Sequence, residues 1–254
     1  MKPLHIDSFI YGLYRLSAVV PEKWLFSQYR PERPNAIMCH VHHFTFNAFA
    51  ENTYILHDNS HEAIIIDPGC QDPWEQDRVS KYLQDNALVP KYILLTHGHI
   101  DHVLGLAWCK SKFSLKAAIH PEDDATFRAV SVIAPNYGYP KYEAGTIDDS
   151  LAEGQVFKFG NTELEVIHVP GHSPGHVAFL CKADSFIIGG DVLFRGSIGR
   201  WDFPGGSKEV LINSIRKKLY TLPEKLGHDV KVYPGHGPET TIKFEMANNP
   251  YVKA

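Results

Sequence analysis

Cysteine is scarce in this chain. Four occur in 254 residues, at Cys39, Cys70, Cys109 and Cys181, and none forms a C-x-x-C pair. Such spacing excludes a disulfide scaffold and a thiolate-rich zinc knuckle, and it predicts free thiols in a reducing compartment. No apolar run reaches the length of a membrane span. The first twenty residues lack the uninterrupted apolar stretch of a secretory signal, because Asp7 and Arg15 break it. A cytoplasmic protein is therefore expected. Lys and Arg (25) are outnumbered by Asp and Glu (29), and the basic residues form no cluster. Neither nucleic acid nor a membrane is an expected partner. The G-x-S-x-G signature of a serine hydrolase is missing as well.

What is present is enough apolar sequence, 44%, for one large or two small domains. Residues 1–38 read as an N-terminal arm that ends in the Pro-rich stretch "YRPERPN". Phe9, Ile10, Leu13, Leu16 and Val20 fit a helical face within it. Packing of this arm on its own domain, or on a second subunit in a homodimer, accounts for that face. Residues 39–254 form the main domain. There "NTYILHD" and "EAIIIDPG" predict two strands, and Asp72, Pro73 and Glu75 mark the start of a helix over 72–86. "KYILL" predicts a strand, "HVLGLAWCKSKF" (102–113) a helix, "KAAIH" a strand and "PEDDATFRAVSVI" a helix. Four strands open the second half, followed by a helix capped by Ser207 and a last strand "VKVYP". This alternation predicts stacked layers with sheets inside and helices outside.

Histidine is abundant, with three copies inside "THGHIDHV". Five apolar runs end in a polar or metal-capable residue: Asp67, His97, His172, Asp191 and His236. Strands deliver such residues to one rim of a sheet, where ligands gather in α/β folds. His97 and His99, two apart on a loop, can turn both rings to one cation, and His172 could add a third nitrogen. Asp101, His102 and His236 could serve a second cation, and the two oxygens of Asp191 could reach both. Two ions about 3.5–4 Å apart can share a water and lower its pKa towards neutrality. Asp67 is read as an orienting residue that accepts a ligand histidine's ring N–H. His176 is read as support for its loop, and His40, His42 and His43 as strand residues without a metal role.

H97-x-H99-x-D101-H102, with His172, Asp191 and His236, resembles the metallo-β-lactamase superfamily. "FTFNAFAENTYIL", "IIIDPG", "GGDVLFRGSIGR" and "VYPGHGPETTI" are similar to the short glyoxalase II-like branch, the hydroxyacylglutathione hydrolases. The resemblance implies an α/β fold, a four-layer αββα sandwich. It implies one site of His97, His99 and His172, another of Asp101, His102 and His236, and Asp191 bridging them. Two divalent ions are the implied cofactors, zinc first, with iron or manganese as alternatives. Hydrolysis of a thioester such as S-lactoylglutathione is the implied activity, with a bridging hydroxide beside Asp101 and Asp191 as the nucleophile.

Arg200 sits where the branch places a basic residue near the thiol's carboxylate. Tyr137, Tyr139 and Tyr142, in a loop over 134–145, are candidate substrate contacts. Two departures stand out: 18 residues follow His236, where typical glyoxalase II enzymes carry a helical glutathione-binding domain, and Trp201 replaces a small hydroxyl residue. A mononuclear-iron persulfide dioxygenase and a lactone or other ester hydrolase are the alternative activities on this scaffold.

Overall fold

The computed structural model describes residues 39–253; the arm expected over 1–38 lies outside them. Two six-stranded sheets dominate. The first runs in sequence order through β1 (His40–Phe46), β2 (Glu51–His57), β3 (Glu62–Ile66), β4 (Val89–Leu94), β5 (Lys116–Ile119) and β6 (Asp149–Ser150). Its first three strands are antiparallel and the rest join in parallel. The second sheet takes β7 (Val156–Phe159), β8 (Thr162–His168), β9 (Val177–Cys181) and β10 (Phe186–Gly190). After a small hairpin, β11 (Leu193–Phe194) and β12 (Ser197–Ile198), it adds β13 (Lys231–Pro234) and β14 (Thr240–Thr241) beyond β10.

The four-layer αββα sandwich follows from strands that are apolar on both faces. Along β3, Ile64 and Ile66 point into the space between the sheets, where they meet Leu164, Val166, Phe179 and Ile188. Ala63 and Ile65 point the other way. They pack beneath α1 (Pro73–Asp85), α3 (Leu106–Phe113) and α4 (Asp124–Ile133). On the far side, Ile187 and Val232 pack under α5 (Lys208–Ser214) and α7 (Ile242–Asn248). Leu211, Ile215 and Leu219 are fully buried there. α6 (Leu222–Leu226) completes that layer.

The helix expected over 102–113 is two helices. α2 (Ile100–Val103) stops, and α3 starts after Gly105. The break follows from a close approach: a Cβ at Gly105 would lie 2.5 Å from Cys70 Sγ, and the Gly105 N–H donates to Pro68 O at 2.7 Å. The loop after β3 is therefore tied directly under α2.

At the opposite end of the sandwich two carboxylates join the sheets. Asp58 accepts from Ser60 N (2.8 Å), Asn161 N (2.7 Å) and Thr162 Oγ1 (2.9 Å), and Glu62 accepts from Gly160 N (2.6 Å). Both residues flank the turn between β2 and β3, and their partners form the turn between β7 and β8. Among the described residues no helix is long and apolar enough to cross a membrane.

Candidate metal centre

Each of the five strand-end residues follows a strand: Asp67 after β3, His97 after β4, His172 after β8, Asp191 after β10 and His236 after β13. These strands come from both sheets, and their ends meet at one rim. There the structure brings together His97, His99 and His172, and beside them Asp101, His102 and His236. Asp191 lies between the two groups. Its Oδ2 is 3.7 Å from His172 Nε2 and 3.4 Å from His236 Nε2, and its Oδ1 is 3.5 Å from His102 Nε2. The approach needs Gly235, where a Cβ would stand 2.2 Å from Asp191 Oδ1.

Hydrogen bonds at the back of the rings assign the tautomers. Thr96 donates its hydroxyl to Asp67 Oδ2 (2.6 Å), so its Oγ1 accepts from His97 Nδ1 at 3.0 Å. His102 Nδ1 donates to Asp67 Oδ2 at 3.0 Å. His172 Nδ1 donates to the Arg200 carbonyl at 2.7 Å, and His236 Nδ1 to the carbonyls of Phe49 and Ala50 at 3.1 and 3.2 Å. In all four rings Nδ1 is thereby the donor and Nε2 faces inward, free to bind a cation or, in its absence, a proton. His172 Nε2 stands 3.2 Å from His97 Nε2 and 2.8 Å from His99 Nδ1. The lone pairs of His97 and His172 at 3.2 Å repel unless a cation lies between them. His102 Nε2 and Asp191 Oδ1 are buried without a hydrogen-bond partner. The residues fit metal ions.

The electrostatics divide the centre. Burial, with the neighbouring imidazoles, pushes His97 far below the usual histidine range and His99 down to about 3; burial also lowers His172. These rings are neutral, as ligation requires. On the other side burial opposes protonation of His102 and His236, but the carboxylates of Asp101 and Asp191 outweigh it. His102 is raised well above its ordinary value and His236 to about 10. That half concentrates negative charge and calls for positive charge in its middle.

Asp67 does more than receive one ring. Besides His102 and the Thr96 hydroxyl it takes the Thr96 N–H at 2.7 Å, and it holds a left-handed backbone (φ 49°) directly after β3. His176 is fully buried, accepts the Asp191 N–H on Nε2 at 3.0 Å and stacks on His97 with centroids 4.8 Å apart.

Several supports carried no motif. Glu75, read as a helix-capping residue, is buried and accepts from Asp72 N (3.1 Å), Gln71 N (2.7 Å) and Asn47 N (2.6 Å). The Asn47 side chain then donates to Gly69 O and to Asp101 O at 3.2 and 3.0 Å. Asp123 accepts the Gly98 and Gly175 N–H groups at 2.5 and 2.9 Å, joining the loop of His97 and His99 to that of His172.

Aromatic side chains surround the rim. Phe203, also unread in the sequence, lies 4.6 Å from the His99 ring and 5.7 Å from His172. The Arg200 guanidinium stacks over Phe203 at 4.3 Å and is paired with Asp202 through two bonds of 3.0 and 2.9 Å. Tyr137 is exposed and stands 5.9 Å from Phe49, whose carbonyl holds His236. Tyr139 accepts from Ala48 N at 3.5 Å. Tyr142 differs from its two neighbours: it packs against the core of the first half with its hydroxyl buried and unpartnered, and burial pushes that hydroxyl up to about 12. Trp201 packs on the core of the second half, with Lys208 Nζ 4.8 Å above its ring. His40, His42 and His43 lie on β1, where His42 stacks on Tyr82.

The sequence profile of the Metallo-beta-lactamase superfamily matches residues 47–236. The chain belongs to that superfamily. It is 37% identical over 209 residues to the hydroxyacylglutathione hydrolase GloC of Haemophilus influenzae, an alignment covering 82% of this chain and 95% of that one. The crystal structure of TTHA1623 in a di-iron-bound form is similar at 35% identity and a TM-score of 0.73, covering 84% of this chain and 100% of the other. That of the B3 metallo-beta-lactamase BLEG-1 is similar at 32% identity and a TM-score of 0.75, over 85% and 100%. Membership in this superfamily, with these histidines and aspartates at the rim, makes the chain a metal-dependent hydrolase.

Proposed function

We propose that the chain hydrolyses an acyl thioester, with a glutathione-linked substrate such as S-lactoylglutathione as the first choice. The observation that carries the reading is Asp191, whose Oδ2 stands between His172 of one group of donors and His236 of the other. His97, His99 and His172 would hold one divalent ion, Asp101, His102 and His236 another, and Asp191 would touch both. Such a pair supplies Lewis acidity for a carbonyl oxygen and a water acidic enough to ionise near neutral pH.

The chain's own residues do the rest. Asp67, Thr96 and the carbonyls of Phe49, Ala50 and Arg200 fix the rings, so their lone pairs cost no reorganisation when the substrate binds. Asp101, whose Oδ2 faces the donors of the second group (3.1 Å from His236 Nε2), takes the proton of the attacking water on its other oxygen. Addition of the water's oxygen to the thioester carbonyl gives a tetrahedral centre, and its collapse breaks the C–S bond. The acid leaves, and the thiolate takes up the proton held at Asp101. Phe203 and Arg200 on one side of the rim, and Tyr137, Tyr139 and Phe49 on the other, contact the acyl group and the thiol carrier. Zinc is the ion proposed; the likeness to TTHA1623, crystallised in a di-iron-bound form, makes iron the second choice. The likeness to BLEG-1 favours β-lactam ring opening as a second reading, since the same water would attack an amide carbonyl.

The test is hydrolysis of S-lactoylglutathione by the purified, metal-loaded chain, followed as thiol release, beside a β-lactam. Thioester cleavage that disappears in His97→Ala and Asp191→Ala, together with their bound metal, supports the reading. Cleavage retained in those variants overturns it.

A further inference from the structure

The peptide group between Gly190 and Asp191 lies where β10 ends, and both of its polar atoms are held. Gly190 O accepts from Gly235 N at 2.8 Å, one residue before the donor His236. Asp191 N donates to the ring Nε2 of His176 at 3.0 Å. The pairing of β10 with β9 reaches only Ile188 and Phe179, so no strand offers an acceptor on that side. The side chain of His176 supplies it instead. This ring is fully buried, and it belongs to neither group of donors.

His176 is itself fixed. Its carbonyl accepts from Val169 N at 2.8 Å, and the next residue, Val177, donates its N–H to Thr96 O at 2.8 Å. Its ring stacks on His97, with centroids 4.8 Å and planes 24° apart. The approach to the peptide is close: Gly190 is left-handed (φ 51°), and a Cβ there would stand 2.8 Å from His176 Nε2. The peptide before Asp191 is thus strung between the two groups of donors. Its oxygen leads to His236, and its N–H leads through the His176 ring to His97.

We infer that His176 is a positioning residue, which by accepting the Asp191 N–H sets the Asp191 carboxylate between the two groups of donors. The role needs an acceptor at the height of Nε2, not merely a flat ring. A ring without that nitrogen keeps the stack on His97 but leaves the Asp191 N–H buried without a partner, which is costly. The peptide then turns to find another acceptor, and the carboxylate turns with it. The inference rests on the centre holding metal and asks nothing of the substrate.

Three variants of the full chain, each loaded with Co²⁺ beside wild type, test this. His176→Gln places an oxygen near the position of Nε2. His176→Phe keeps the ring and removes the acceptor, and His176→Asn carries an acceptor that falls short. Competition against a calibrated chelator reads metal affinity, and the visible absorption of bound cobalt reads ligand geometry. The Gln variant is expected to match wild type in both. The Phe and Asn variants are expected to bind about 10–100-fold more weakly, as on losing a partner behind a ligand, with a shifted cobalt band. Either of them, if folded, suffices for the comparison with Gln. Wild-type affinity and spectrum in Phe or Asn, or a Gln variant as weak as they are, would overturn this inference alone. A wild type that binds no cobalt would overturn the centre and the inference with it.

Discussion

Asp67 Oδ2 and His102 Nδ1 lie 3.0 Å apart, both side chains are buried, and the same carboxylate grips Thr96 behind His97. One residue thus orients a ring from each group of donors. Asp67→Ala should weaken metal binding by about 10–100-fold, the usual effect of losing a partner behind a ligand. Competition against a calibrated chelator measures it. An unchanged affinity would mean that packing alone holds the two rings.

Asp101 faces His236 Nε2 at 3.1 Å and His102 Nε2 at 3.6 Å. Asp101→Asn keeps the shape and removes the proton acceptor. Thioester turnover should fall by about 10²–10⁴-fold, with KM changed far less than kcat. Steady-state kinetics on metal-loaded protein separates these effects. A loss confined to KM contradicts the role given to this carboxylate.

Arg200 is exposed and doubly bonded to Asp202, so a substrate carboxylate must compete with a partner already in place. Exposed ion pairs contribute about 0–1 kcal/mol. Arg200→Ala should therefore raise KM for a glutathione thioester by no more than about fivefold, with kcat unchanged. A rise of a hundredfold would show that Arg200 leaves Asp202 and becomes the principal anchor.

Asp58 tests the joint between the sheets. Burial works against its charge, but the bonds from Ser60, Asn161 and Thr162 prevail and hold its pKa below the ordinary 3.8. Its folded pKa is depressed, so its contribution is complete above the unfolded value and is lost as pH falls through the folded one. Asp58→Asn should cost about 1.5–3 kcal/mol at neutral pH, the range for hydrogen bonds to a charged group. The gap to wild type should narrow progressively as pH falls below about 4 and through the folded pKa. Denaturant unfolding at pH 7 and pH 3 reads both values; a gap as wide at pH 3 as at pH 7 contradicts this account of the joint.

The layered fold was legible because its strands are apolar on both faces and its helices carry caps such as Asp72 and Ser207. The meeting of seven donors at one rim was legible for a related reason: each strand-end residue sits within four positions of an apolar run. The break at Gly105 was not, since it depends on Cys70, distant in sequence. Glu75 was read only as a cap and Asn47 not at all, because their further bonds go to backbone N–H and C=O groups of distant loops, which leave no signature in side-chain patterns. Phe203 was hidden by its loop: nothing in "RWDFPGG" says which aromatic ring turns towards His99.

The account depends most on two cations sharing Asp191. Anomalous diffraction from crystals of the metal-loaded chain, recorded at the absorption edge of the metal, tests this directly. Two peaks are predicted, one within ligand distance, about 2.0–2.2 Å, of His97, His99 and His172, the other equally close to Asp101, His102 and His236, with Asp191 in reach of both. A single peak in a fully loaded crystal, or peaks away from these side chains, would contradict it.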